Sequence, residues 1–159
     1  MSQPLQNPGL NRHDTVGHIV ARTLQKHGID RFFGQSLPSM FVLAAEEAGL
    51  AQVAYRTENA GGYMAGAHAR MRHPAPVITA QNRPAAALLV APLAEALKVS
   101  IPVIALVQDI ARDQADKNAF QDLDHIGLFK PVSKWVRRVG VASRGEDYVE
   151  EAIIGACSG

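Results

Sequence analysis

Glu58 has the most suggestive setting of any carboxylate in this 159-residue chain. It follows the apolar stretch Gln52–Tyr55 and opens a run of small residues that includes Ala60, Gly61, Gly62, Ala65, Gly66, Ala67 and Ala69. An acid in the first turn of a helix interacts favourably with the helix dipole and with backbone N–H groups that lack an intrahelical partner. A carboxylate held at such a helix mouth is also placed for acid–base work on a bound group. Residue type and spacing leave both readings open. Arg83 carries forked donors that could hold a substrate carboxylate, or it is a solvated loop arginine.

Other side chains able to do chemistry form weaker patterns. His13, His18, His27, His68, His73 and His125 show no pair spaced four apart on one helix, which argues against zinc. Asp109, Asp113, Asp116, Asp122 and Asp124 do not follow a calcium-loop spacing. Gly61, Gly62 and Gly66 give no phosphate-binding fingerprint, and glycines inside a helix more often permit close packing. The Arg70-Met71-Arg72-His73 and Arg137-Arg138 clusters read as solvated faces. Cys157 is the lone cysteine, so neither an internal disulfide nor a cysteine zinc cluster is available, and a reducing, cytoplasmic home is expected.

The composition bounds what these residues can serve. Hydrophobic residues make up 47% and charged ones 19%, which describes one compact domain with a sizeable core. A formal charge of +1 supplies no basic excess for a phosphate backbone, so no nucleic-acid partner is expected. No stretch approaches the ~20 apolar residues of a membrane span, so no membrane partner is expected either. Residues 1–13 read as a flexible N-terminal arm and 14–159 as the domain.

The elements that must position Glu58 alternate between strand and helix. Val16, Ile19, Val20 and Leu24 recur at helical spacing, with Asp14 as the expected N-cap and Gly28 as the stop. A strand is expected at Asp30–Phe33, a loop at Gly34–Pro38, a helix at Met40–Ala48 closed by Gly49, and a strand at Gln52–Tyr55. The Glu58 helix should run to about Arg72, ended by Pro74 and Pro76 before the strand Val77–Ala80. Ala85–Val99 reads as one helix. Ile101–Val107, a continuous apolar run, reads as a strand buried on both faces. A polar loop at Gln108–Asn118, a short helical stretch and a strand at Lys134–Val139 come next. The last helix opens on the capping-box pattern Ser143-Arg144-Gly145-Glu146 and buries Tyr148, Val149, Ala152, Ile153 and Ala156.

Strands separated by helices of this length imply parallel pairing, hence an α/β fold: a doubly wound open parallel sheet of about five to six strands with helices on both faces. Ligands of such sheets bind outside the carboxyl ends of the strands. Gly34–Pro38, Thr57–Asn59, Gln81–Pro84 and Gln108–Asn118 all follow strands and should cluster on one edge.

The run Arg56-Thr57-Glu58-Asn59-Ala60-Gly61-Gly62-Tyr63-Met64-Ala65-Gly66-Ala67-His68-Ala69-Arg70 resembles the segment that carries the activating glutamate in thiamine-diphosphate enzymes of the acetolactate synthase, pyruvate oxidase and 2-keto acid decarboxylase family. Arg56, Glu58, Met64, Ala65, Ala69 and Arg70 stand in its register. The resemblance extends through Arg31-Phe32-Phe33-Gly34, Ser100-Ile101-Pro102-Val103-Ile104-Ala105, Asn118-Ala119-Phe120-Gln121-Asp122 and Lys134-Trp135, in the family's order. It implies a flavodoxin-like pyrimidine-binding domain in which Glu58 hydrogen-bonds the aminopyrimidine ring of thiamine diphosphate and turns the cofactor into its own base. It further implies cofactor contacts from Pro38 and Asn82, a substrate entrance lined by Phe120 and Gln121, and a 2-keto acid as substrate, with Arg83 as a candidate for its carboxylate.

Two loops depart from the family pattern. Ala80-Gln81-Asn82-Arg83-Pro84 replaces a glycine-rich turn, as does Gln35-Ser36-Leu37-Pro38-Ser39, and glycine is what lets backbone approach a ligand closely. Thr57 stands where the family often has histidine, and Asn59 where it has glutamine. The family's diphosphate-binding domain, which holds Mg2+, has no counterpart in these residues. The expectation is an N-terminal portion of a larger enzyme, inactive alone and assembled as a homodimer or tetramer through the Glu58 helix and its neighbour. The alternatives are a small subunit of a split decarboxylase of the sulfopyruvate or phosphonopyruvate type, with the diphosphate domain on a partner chain, and a non-catalytic flavodoxin-like binding or regulatory module.

Overall fold

A computed structural model describes residues 15–72, 74–115 and 117–158. The expected arm at 1–13 and the expected cap Asp14 lie outside the described residues. The first helix, α1 (Val16–Lys26), is capped by Thr15, whose hydroxyl accepts from the His18 N–H at 3.4 Å while the Thr15 N–H donates to His18 Nδ1 at 3.2 Å. Then come β1 (Arg31–Phe33), α2 (Ser39–Glu47), β2 (Ala51–Val53), α3 (Glu58–Met71), β3 (Val77–Ala80), α4 (Ala85–Leu88), α5 (Val90–Lys98), β4 (Ile104–Val107), α6 (His125–Phe129) and α7 (Gly145–Cys157).

The strands form one four-stranded parallel sheet in the order β2-β1-β3-β4, with Phe33 opposite Val53 and Ile78, and Ala80 opposite Val107. Successive side chains of a strand point to opposite faces, and the core follows that rule. Phe32 and Val77 join Leu24, Phe41, Val149 and Ile153 on the face covered by α1, α2 and α7. Phe33 and Ile78 join Tyr55, Ala65, Leu89 and Leu93 on the face covered by α3, α4 and α5. The doubly wound α/β class expected from sequence is therefore the class observed, with β3 buried throughout at its centre.

Four expectations need correction. Ala85–Val99 is two helices broken at Leu89, because Pro92 has no N–H to give the carbonyl four residues back. The apolar run Ile101–Val107 enters the ladder only at Ile104, whose N–H donates to Pro76 O at 3.0 Å, since Pro102 offers no donor. The capping box at Ser143–Glu146 is absent. A 3-10 turn at Ala142–Arg144 leads into α7 with no side-chain cap, although the buried face of α7 is the expected one. Lastly, Lys134–Val139 is not a strand, so among the described residues the sheet has four strands rather than five to six. A cavity of about 840 Å3 separates this segment from β4, the neighbour with which it would have to pair.

Candidate functional site

Parallel pairing brings the loops after Phe33, Val53, Ala80 and Val107 to one edge of the sheet. The chain leaves β1 in opposite directions on its two sides, with β2 on one flank and β3 on the other. The crevice between the carboxyl ends of β1 and β3 is thus the switch point where doubly wound sheets take ligands.

The β1 loop is stitched to the approach of Glu58 by two glutamines. Gln52 Nε2 donates to the carbonyls of Gly34 and Gln35, both at 2.9 Å, and Gln35 Nε2 donates to Arg56 O at 3.1 Å. Gly34 has no room for a side chain, because a Cβ there would sit 2.5 Å from Thr79 Oγ1 and 2.8 Å from the Phe32 ring. Thr57 then caps α3, its hydroxyl accepting from the Ala60 N–H at 3.3 Å, and Glu58 is the first residue of the helix, half-buried. Its carboxylate thereby sits at the positive end of a 14-residue helix dipole.

Tyr55 fixes the depth of this corner. Its hydroxyl donates to Thr79 O on β3 at 2.6 Å, and its ring lies where a Cβ on Gly61 would be, 2.4 Å away. Burial, with the nearby Glu58 charge adding to it, pushes the Tyr55 hydroxyl up to about 12. Tyr55 is therefore a neutral donor at any physiological pH. Tyr55, Gln35 and Gln52 do not stand out in the sequence. Only the position of Tyr55 at the end of the expected strand Gln52–Tyr55, three residues before Glu58, offered a signal; β2 itself ends at Val53.

The β3 loop supplies the other wall. Asn82 is 5% exposed, and its buried Oδ1 has no hydrogen-bond partner. An acceptor left so costs about 1–3 kcal/mol, so this position favours a donor brought by a ligand. Gln81 Nε2 donates to Gln121 Oε1 at 3.0 Å, which draws the later loop over the end of β3. Gln121 adopts φ 64°, a left-handed backbone rare outside glycine and asparagine, and neighbouring Phe120 is 88% exposed. The Phe120 ring is therefore not part of the core. Arg83 is exposed beside Asn82. Pro38 is set apart: it precedes α2 and lines the cavity beyond β4.

The small residues of α3 serve the interior. Gly61, Gly62, Ala65 and Ala69 are buried, and a Cβ on Gly62 would sit 2.5 Å from Pro92. The outward face of α3 and α4 instead presents Tyr63, Met64, Met71 and Leu88. Among the described residues no group of three His, Cys, Asp or Glu is arranged to hold a metal ion, and no helix is long and apolar enough to cross a membrane.

Residues 14–128 match the family described as thiamine pyrophosphate enzyme, N-terminal TPP binding domain. An acetolactate synthase of Mycobacterium bovis is 33% identical over 125 residues, covering 76% of this chain and 20% of its own length. That of Arthrospira platensis is 32% identical over 151 residues, 91% of this chain and 26% of its own. A probable acetolactate synthase large subunit of Methanocaldococcus jannaschii is 32% identical over 117 residues, 72% of this chain and 20% of its own. The chain thus spans a fifth to a quarter of the length of these relatives.

Proposed function

The chain belongs to the family of N-terminal TPP-binding domains of thiamine pyrophosphate enzymes, and from that premise we propose that it is the cofactor-activating part of an acetolactate synthase-like enzyme acting on 2-keto acids. The observation that carries this reading is the corner at the switch point: a half-buried Glu58 on the first turn of α3, beside a neutral Tyr55, with the buried, unpartnered Oδ1 of Asn82 on the loop after β3 at the same sheet edge. An aminopyrimidine needs both an anionic partner for a ring nitrogen and an acceptor for an exocyclic amino group, and this corner offers one of each. The residues fit the group.

Thiamine diphosphate supplies, when bound, a carbon nucleophile for the keto group of the substrate. The chain's own residues do the rest. Glu58 holds a proton against the ring nitrogen, and Asn82 orients the ring edge through its amide oxygen. Tyr55 keeps water from the floor of the corner and holds β3 at a fixed distance from α3. Arg83, Phe120 and Gln121 stand above it, with Arg83 exposed to meet a substrate carboxylate. Pro38, beside the other cavity, is the weakest of the expected cofactor contacts. Mg2+ and the diphosphate fall to a domain outside this chain, supplied by the same polypeptide or a partner. The apolar face of Tyr63, Met64, Met71 and Leu88 is the surface on which a second chain would sit, as a homodimer or tetramer. The relatives named above are synthases, which favours carbon–carbon ligation over simple decarboxylation.

Calorimetry with thiamine diphosphate and Mg2+, on the assembled enzyme that contains this chain, tests the reading. Binding by the wild type and weakened binding by Asn82→Ala are expected. No binding by the assembled wild type would leave the fold without this function.

A further inference from the structure

The backbone ladder between β1 and β2 stops just short of the corner that carries Glu58. Ala51 donates its N–H to Asp30 O at 2.8 Å, and Gly34 donates to Val53 O at 3.1 Å. Continued in steps of two, the next rungs of a parallel ladder would be Tyr55 N–H to Gly34 O and Ser36 N–H to Tyr55 O. Neither forms, and Ala54, Tyr55 and Arg56 make no backbone–backbone hydrogen bond among the described residues. Side-chain amides take the places of the missing rungs. Gln52 Nε2 donates to Gly34 O and to Gln35 O, each at 2.9 Å. Gln35 Nε2 in turn donates to Arg56 O at 3.1 Å and reaches Tyr55 O at 3.5 Å.

The position of this clamp matters more than its strength. Gln35 is half-buried and Gln52 exposed, and hydrogen bonds this close to water add little net stability. Arg56 O and the Thr57 N–H belong to one planar peptide unit. Fixing that oxygen leaves only the two soft dihedrals of Thr57, φ −135° and ψ 149°, between the clamp and the Glu58 backbone. Those dihedrals are held in turn by the Thr57 hydroxyl, which accepts from the Ala60 N–H. Tyr55 ties the same segment to β3 from the other side. A glycine in place of Gln35 would have no amide to reach Arg56, so the departure of this loop from a glycine-rich turn is what supplies the clamp.

We propose that Gln35, anchored by Gln52, is a positioning residue for Glu58: its amide fixes the Arg56–Thr57 peptide and thereby the place of the Glu58 carboxylate. The inference rests on the role proposed above for Glu58. Gln35 touches neither the cofactor nor the substrate in this account, so its loss lowers the rate of cofactor activation and spares cofactor affinity.

Two measurements on the assembled enzyme test it: calorimetry with thiamine diphosphate and Mg2+, and exchange of the thiazolium C2 proton of the bound cofactor with deuterium. Gln35→Met keeps the length of the side chain and removes its donor. Exchange should slow roughly 10-fold, with the cofactor Kd within about 3-fold of wild type. Gln52→Met should slow exchange about 3-fold and add nothing to Gln35→Met, because both act through one clamp. In a Glu58→Gln background Gln35→Met should leave the remaining rate unchanged, which a general loosening of the corner would not do. Without cofactor, the Ala60 and Gly61 amides, which bond to Thr57, should exchange at least ~3-fold faster in Gln35→Met. If Gln35→Met does not assemble, Gln52→Met carries the test with the same signature. Wild-type exchange in both glutamine variants, while Glu58→Gln slows it, would overturn the clamp. So would a Kd weakened ~10-fold or more with the bound cofactor exchanging at the wild-type rate. An equal effect of Gln35→Met with and without Glu58 would overturn it as well. A Glu58→Gln protein that exchanges as fast as wild type would instead remove the reading of Glu58 itself, and this inference with it.

Discussion

The centre of the sheet and its β4 edge are built to different tolerances. Around β1 and β3 the chain is pinned at every step to Glu58: glycines 34 and 61 have no spare volume, Gln35 and Gln52 bond across loops, and Tyr55 ties α3 to β3. On the β4 flank the backbone edge opens on a cavity, and 133–139 is held by the tips of Lys134 and Arg138. The difference separates the corner proposed to hold the aminopyrimidine from an edge whose backbone groups face a cavity. A site that holds a proton against one atom, the role proposed for Glu58, tolerates little slack, whereas a segment held by two long side chains tolerates more.

Changes on the tight flank should cost activity or stability out of proportion to their size. The largest effect is expected from Glu58→Gln, which keeps the shape and removes the carboxylate proposed to hold a proton. Turnover of a 2-keto acid by the assembled enzyme should fall roughly 10²–10⁴-fold, with the thermal midpoint nearly unmoved. Gly61→Ala should destabilise by about 1–3 kcal/mol in denaturant unfolding, because the new methyl meets the root of a ring that its own hydroxyl bond holds in place.

Tyr55→Phe comes next, at about 1 kcal/mol for the lost bond to the Thr79 carbonyl. It also carries a pH signature. The folded hydroxyl titrates near 12 against an ordinary 10, so the folded state keeps a proton that the unfolded state releases. Stability from this group is full below pH 10 and is lost as pH rises toward 12. Wild-type unfolding curves should therefore shift to lower denaturant across that window, and those of Tyr55→Phe should shift less.

The smallest effect belongs to the surface of the α1–α7 layer. Lys26 meets Glu146 at 3.0 Å and Glu150 at 3.3 Å, which raises the lysine, while His27 first and Lys26 second lower Glu150, yet Lys26, Glu146 and Glu150 are solvated. Lys26→Met should barely move the unfolding midpoint, and any difference should vanish in about 1 M salt.

Much of this was open to reading in the chain itself, for reasons that differ by residue. Val77–Ala80 and the Glu58 helix are bounded by prolines and a capping threonine, which are local signals, and they stand where expected. Pro92 and Pro102 are equally local, and they account for the broken helix and the late start of β4. The strand expected at Lys134–Val139 failed for a different reason: a strand is defined by its neighbour, and on that side a cavity lies between the segment and β4. The stitching by Gln35, Gln52 and Tyr55 joins residues 17 to 24 positions apart and leaves no periodic trace in sequence. The place of Glu58 at the start of α3 was legible from its run, while the buried, unpartnered oxygen of Asn82 emerged only from the fold.

The most direct test of the Glu58 corner is the rate at which the thiazolium C2 proton of enzyme-bound thiamine diphosphate exchanges with deuterium, followed by NMR after acid quench. Exchange slowed roughly 10²-fold or more by Glu58→Gln, with the cofactor still bound, is the result expected if this carboxylate activates the ring. Equal rates in the two proteins would contradict it.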